Sequence, residues 1–192
     1  MYSAYSLPVT VTSGGREYSI RQRGDYRVIL DVLAALGDEE LTEEERIECA
    51  LLIFLDTDIY KLPDIGEAAS CMMEFLRCGY EESASPSNRK LMDWHEDAPM
   101  IVSGVNRVLG TEVRAIPYLH WWSFFAAYME IGESTLATVI SIRDKVARGK
   151  KLEKYESDFK RDHPEYFTFK ADRIRAERDM QDIAAIWGGE DD

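Results

Sequence analysis

Asp93-Trp94-His95-Glu96-Asp97 is the densest run in this 192-residue chain of side chains able to bind a metal or move a proton. Imidazole and carboxylate groups ligate zinc and act as acid and base near neutrality. Consecutive residues on a helix point about 100° apart, however, so His95, Glu96 and Asp97 diverge instead of converging on one ion. The helix-borne ligand spacings, His-x-x-x-His and Glu-x-x-His, do not occur here. The run is therefore expected to open a helix, with Asp93 or Asp97 as its N-cap and Pro99 in an early turn. Asp56-Thr57-Asp58 starts like a calcium loop. Tyr60 then falls at its fifth position, and Leu62 and Pro63 stand where ligands and a flexible backbone are needed. His120 lies in an apolar segment and is expected to be a buried imidazole bonded to backbone or to an acid. The three cysteines, Cys49, Cys71 and Cys78, show no Cys-x-x-Cys spacing and read as reduced thiols. No Gly-x-Ser-x-Gly, phosphate-cradling glycine loop or dinucleotide fingerprint is present. These residues nominate no catalytic group, no metal site and no cofactor, and the chain is expected not to be an enzyme.

The elements around these residues are mostly helices. Leu7, Val9 and Val11 alternate before Ser13-Gly14-Gly15, and Tyr18 and Ile20 follow, which predicts a β-hairpin over about 7–21. Asp25 is placed to cap a helix with Tyr26, Ile29, Leu30, Leu33 and Leu36 on its buried side, stopped by Gly37. Thr42 and Glu45 fit a capping box for a helix carrying Ile47, Ala50, Leu51, Phe54 and Leu55. Pro63-Asp64 begins another, through Phe75 and Leu76. Residues 81–88 are rich in turn formers and predict an exposed loop. A helix through Ile101, Val105, Val108 and Leu109 ends at Gly110. Further helices are predicted over about 134–146, with Leu136, Val139, Ile140 and Ile142 inward, over 151–162, and over 170–187.

Six aromatic residues crowd the positions from Tyr118 to Tyr128. A helix apolar on nearly every side is normally a buried central element. The expected fold is mainly α, a multi-helix bundle around this aromatic helix with an N-terminal β-hairpin. Trp94, Leu119, Trp121, Trp122, Phe124 and Phe125 are its core candidates. Residues 1–160 are read as the helical domain and 161–192 as a charged C-terminal helix with an acidic tail. Met180, Ile183 and Trp187 lie at helical spacing in that segment and are candidates for partner contact.

The net charge of −13 is uneven. Residues 1–142 hold 11 Lys/Arg against 23 Asp/Glu, residues 143–178 hold 12 against 8, and the last 14 carry five acids and no base. A surface this acidic repels nucleic acid, and the basic stretch reads as a solvated helix with mixed charges. No run of about 18 apolar residues predicts a membrane span, and the first residues lack the pattern of a signal peptide.

Several segments together resemble one family of tailed-phage proteins, gene product fifteen, found in long-tailed phages and prophages of Gram-positive bacteria. They are Gly15-Arg-Glu-Tyr-Ser-Ile20, Asp25-Tyr26-Arg27-Val-Ile-Leu30 and Pro63-Asp64 with Phe75. Asp93-Trp94-x-x-Asp97-Ala-Pro-x-Ile, Leu119-His120-Trp121-Trp122-x-Phe124 and Ile142-Arg143 complete the set. The resemblance covers about residues 10–160. It implies a tail-morphogenesis role, because genes of the family usually lie just upstream of the tape-measure gene, the position of tail assembly chaperones. The implied partners are the tape-measure protein and the tail-tube protein, in the host cytoplasm. Neither a nucleic acid nor a membrane is an implied partner. A structural tail or connector subunit of the virion is the alternative, and self-association is left open.

Overall fold

The computed structural model describes residues 5–80 and 90–170. Within them the chain is mainly α, with seven α-helices and one antiparallel hairpin. Contacts group the chain into two compact units, Met1–Ser87 with Val102–Ile131 and Asn88–Ile101 with Gly132–Asp192. Each unit thus joins two stretches of chain. The expected loop at 81–88 lies outside the described residues, as does the helix at 170–187 beyond Lys170.

In the first unit, β1 (Thr10–Ser13) and β2 (Arg16–Ser19) pair with Val11 opposite Tyr18 and Ser13 opposite Arg16. The connecting Gly14 and Gly15 have φ of +55° and +72°, a turn whose hand suits a hairpin and which side chains resist. Helices α1 (Tyr26–Leu36), α2 (Glu43–Phe54), α3 (Ile65–Leu76) and α5 (Trp121–Met129) complete most of this unit, and α4 (Ala98–Leu109) contributes its later turns. The hairpin is pinned to the start of α3. Ser13 Oγ donates to Asp64 O at 2.6 Å, and Gly14 N–H donates to Glu67 Oε2 at 2.5 Å.

Local caps start the helices. Asp25 accepts from Arg27 N, Asp64 from Glu67 N, and Thr42 forms the reciprocal box with Glu45. On α1 the buried side is Tyr26, Val28, Ile29 and Val32, whereas Leu30, Leu33 and Leu36 are half-buried. The face is turned from the expected one because Asp25 and Tyr26, anchored at the helix start, set its rotation. On α5 burial is complete for Trp121, Phe124 and Ala127, one stripe at spacing three. Trp122, Phe125 and Tyr128 are half-buried and Met129 is 58% exposed, so all-round burial of the aromatic helix does not hold. A nine-residue helix offers one full stripe to its neighbours, and the remaining rings lie along the edges of that contact.

In the second unit, α6 (Thr135–Ala147) is capped by Ser134 and buries Leu136, Val139 and Ile142, with Ile140 half-buried. The charged helix α7 (Lys154–Asp162) begins at Lys154 and not at 151, because Glu156 turns back to accept from Glu153 N at 2.9 Å. A short 3-10 turn, Pro164–Phe167, follows. No described helix is long and apolar enough to cross a membrane.

Candidate functional site

The residues with chemical potential are gathered in two polar clasps, one in each unit. The first is built on a turn, Arg21–Gly24, in which Gln22, Arg23 and Gly24 are consecutively left-handed at φ +47°, +57° and +76°. Left-handed backbone is unfavourable for residues with a Cβ, so the surroundings must hold it. The Arg21 guanidinium does part of this by donating to the carbonyls of Leu52, Ile53 and Leu55 at 2.8–3.1 Å, at the C-terminal end of α2. At Gly24 a Cβ would come within 2.9 Å of the Phe75 ring and 3.2 Å of His120 Nε2, so only glycine fits.

This turn delivers Asp25, which is 2% exposed. One carboxylate oxygen accepts from Arg27 N–H at 3.0 Å and from the Arg27 guanidinium at 3.1 Å; the other accepts from Leu119 N–H at 3.0 Å. Tyr26 N–H in turn donates to Leu119 O at 2.9 Å. Arg27 reaches on to Ile116 O at 2.6 Å. The start of α1 is thereby stitched to the strand-like segment that leads into α5.

His120 is the N-cap of α5 and is 1% exposed. Its Nδ1 accepts from Trp122 N–H at 3.0 Å, which places the ring proton on Nε2, where it donates to Pro8 O at 2.9 Å. Burial pushes this imidazole below its ordinary pKa, against the opposing pull of the Pro8 carbonyl and of Asp25. Beyond it, the Trp121 and Trp122 indoles donate to Leu76 O at 3.0 Å and Phe75 O at 2.9 Å. Both bonds reach carbonyls in the last turn of α3, where Phe75 O also accepts from Cys78 N–H at 3.0 Å. Phe124 stacks on Tyr26 with ring centroids 4.5 Å apart.

The second clasp is an ion pair. Arg143 on α6, 9% exposed, meets Asp97, 2% exposed, through two bonds of 2.7 and 2.9 Å. The guanidinium also donates to Leu91 O at 3.0 Å and Tyr166 O at 2.8 Å, and lies over the Phe169 ring at 4.3 Å. Asp97 accepts in addition from Asp93 N–H at 3.0 Å. Asp93 itself caps the turn ahead of α4, accepting from His95 N–H and Glu96 N–H at 2.8 Å each. Glu96 receives Lys170 N–H on both oxygens. The run that looked capable of metal or proton chemistry is thus divided among separate structural tasks. Asp97 directly precedes α4 and its carbonyl accepts from Ile101 N–H at 3.0 Å, while its carboxylate is drawn by α6 into the ion pair. Among the described residues no group of three His, Cys, Asp or Glu could hold a metal ion. Asp58 likewise caps Tyr60 and pairs with Lys61 at 2.9 Å.

Of the expected core residues, Trp121 and Phe124 are buried, while Trp94, Leu119, Trp122 and Phe125 are half-buried. Met180, Ile183 and Trp187 lie outside the described residues. Sequence reasoning missed the capping role of His120 and the pairing of Asp97 with Arg143. A histidine in front of an apolar helix was the available signal for the first; the second leaves no local trace. The second unit also carries an open polar groove of about 500 Å³, lined by Glu133, Ser134, Thr138, Ser141, Tyr155 and Glu156. Lys145 donates to the buried Glu156 there at 2.6 Å and holds its carboxyl below the usual range.

Residues 5–167 match a family model described as bacteriophage Gp15 protein. No curated protein and no solved structure matches the chain.

Proposed function

The chain belongs to the bacteriophage Gp15 protein family, and from that membership we propose that it is a non-enzymatic tail assembly chaperone. In this reading it binds the tape-measure protein in the host cytoplasm while the tail is being built, and recruits tail-tube subunits to it. The family match carries the reading, through the tail-morphogenesis role that the resemblance implies.

Two physical features support it. Asp25, Asp97, His120 and Arg143 direct their hydrogen bonds into the fold, so the motif residues serve as structural clasps. The first unit, Met1–Ser87 with Val102–Ile131, holds 9 Lys/Arg against 19 Asp/Glu, a balance of −10. Such acidity favours solubility at the concentrations assembly requires and attracts a basic client.

Quantitative mass spectrometry of a phage lysate and of purified particles from it tests the reading. A chaperone is abundant in the lysate and absent from finished virions. A fixed copy number in purified tails would instead make this a structural subunit.

A further inference from the structure

We infer that His120 is a proton-controlled latch: when neutral it joins the Pro8 carbonyl to the first turn of α5, and its protonation opens that turn. Both ring nitrogens are engaged, and in opposite senses. Nε2–H donates to Pro8 O, while the Nδ1 lone pair receives the amide of Trp122. A proton taken from solvent has one place to go, the Nδ1 lone pair. Nδ1–H then faces Trp122 N–H, donor against donor, and the amide near the helix start loses the acceptor that caps it. Setting a donor against this half-buried N–H in place of its acceptor is costly, so the first turn of α5 opens.

The surroundings keep the ring from escaping by rotation. Gly24 backbone packs so closely that a Cβ there would stand 3.2 Å from Nε2. The Phe75 ring of α3 meets the imidazole edge-on at 5.6 Å, and the Trp122 ring lies at 6.2 Å. The N-terminal segment presents the neutral Pro8 carbonyl. The charged group acting on the imidazole is Asp25, whose oxygens are taken up by Arg27 and by Leu119 N–H. Asp25 favours the protonated ring, and burial opposes it more strongly.

The direction of the pH effect follows. The folded imidazole titrates below its unfolded value, so the unfolded or opened chain binds the proton more readily. The latch is fully closed above about pH 6.5, the ordinary histidine value, and weakens as pH falls below it. One linked proton raises the opening constant by up to about tenfold per pH unit in that range.

The test is nuclear magnetic resonance on the full chain. At pH 7.5 the His120 imidazole should show the Nε2–H tautomer. On acidification its resonances should move together with the Trp122 amide, whose hydrogen-exchange protection should fall by up to about tenfold per pH unit below pH 6.5. His120→Asn retains a cap acceptor without a titrating group and should show flat protection over the same range. An Nδ1–H tautomer at pH 7.5, or protonation of His120 with Trp122 protection unchanged, would overturn the inference. So would a His120→Asn variant with the pH dependence of the wild type.

Discussion

Replacing Asp97 by alanine probes the second clasp most sharply. The substitution removes both bonds to Arg143, at 2.7 and 2.9 Å, and the acceptor for Asp93 N–H. It leaves a guanidinium that is 9% exposed with Leu91 O, Tyr166 O and the Phe169 ring, and with no countercharge in its pair. Breaking a buried ion pair from one side costs about 3–5 kcal/mol, chiefly because a charge is stranded out of water. A domain is typically stable by about 5–15 kcal/mol, so this loss is a large share. Arg143→Met should cost a similar amount by stranding Asp97. The double variant strands neither charge, and its cost should fall short of the sum of the singles by about 1–3 kcal/mol. Urea denaturation followed by circular dichroism, with hydrogen exchange of α6 amides to locate the effect, measures all three. An Asp97→Ala cost below about 1 kcal/mol, or singles that add to within about 0.5 kcal/mol, would refute the clasp.

Other outcomes are expected elsewhere in the fold. Trp121→Ala should destabilise the first unit by about 3–5 kcal/mol in thermal or urea melts, since the ring is 1% exposed; Trp122→Phe, which removes the indole donor to Phe75 O, should cost only about 0.5–1.5 kcal/mol. Ser134→Ala removes the cap of α6 and should lower stability by about 1 kcal/mol. Lys145 holds the Glu156 carboxyl below its ordinary pKa, so this pair stabilises the fold above the ordinary carboxylate value of about 4.3 and its contribution is lost as pH falls below that. Glu156→Gln should therefore flatten the acid limb of the stability curve. Burial pushes the Cys78 thiol up to about 12, so it should resist alkylation at pH 8 in the native protein and label readily in urea; native labelling as fast as denatured would contradict this.

What could be read from residue types alone was local. Gly14-Gly15, Thr42 with Glu45, Asp64 and Ser134 each declare a turn or helix start within four residues, and each does so in the structure. The family resemblance likewise came from short segments, and the family match bears it out. The structure shows what joins those segments. Asp97 reaches Arg143 across 46 residues and His120 reaches Pro8 across 112, distances over which spacing carries no signal. Asp97 read as a cap because an acid before an apolar run usually is one. Its partner lies on α6, and nothing near Asp97 in the chain announces that. The rotation of α1 was hidden for the same reason: Leu30 and Leu33 fit a helical stripe, but the bonds of Asp25 and Tyr26 to Leu119 decide which stripe is buried.

Co-expression of the full chain with the tape-measure protein of the same phage, followed by copurification and light-scattering mass, tests the chaperone role most directly. A soluble complex holding several copies of this 22.0 kDa chain per tape-measure protein is the expected result. A tape-measure protein that stays insoluble while this chain elutes alone would contradict it.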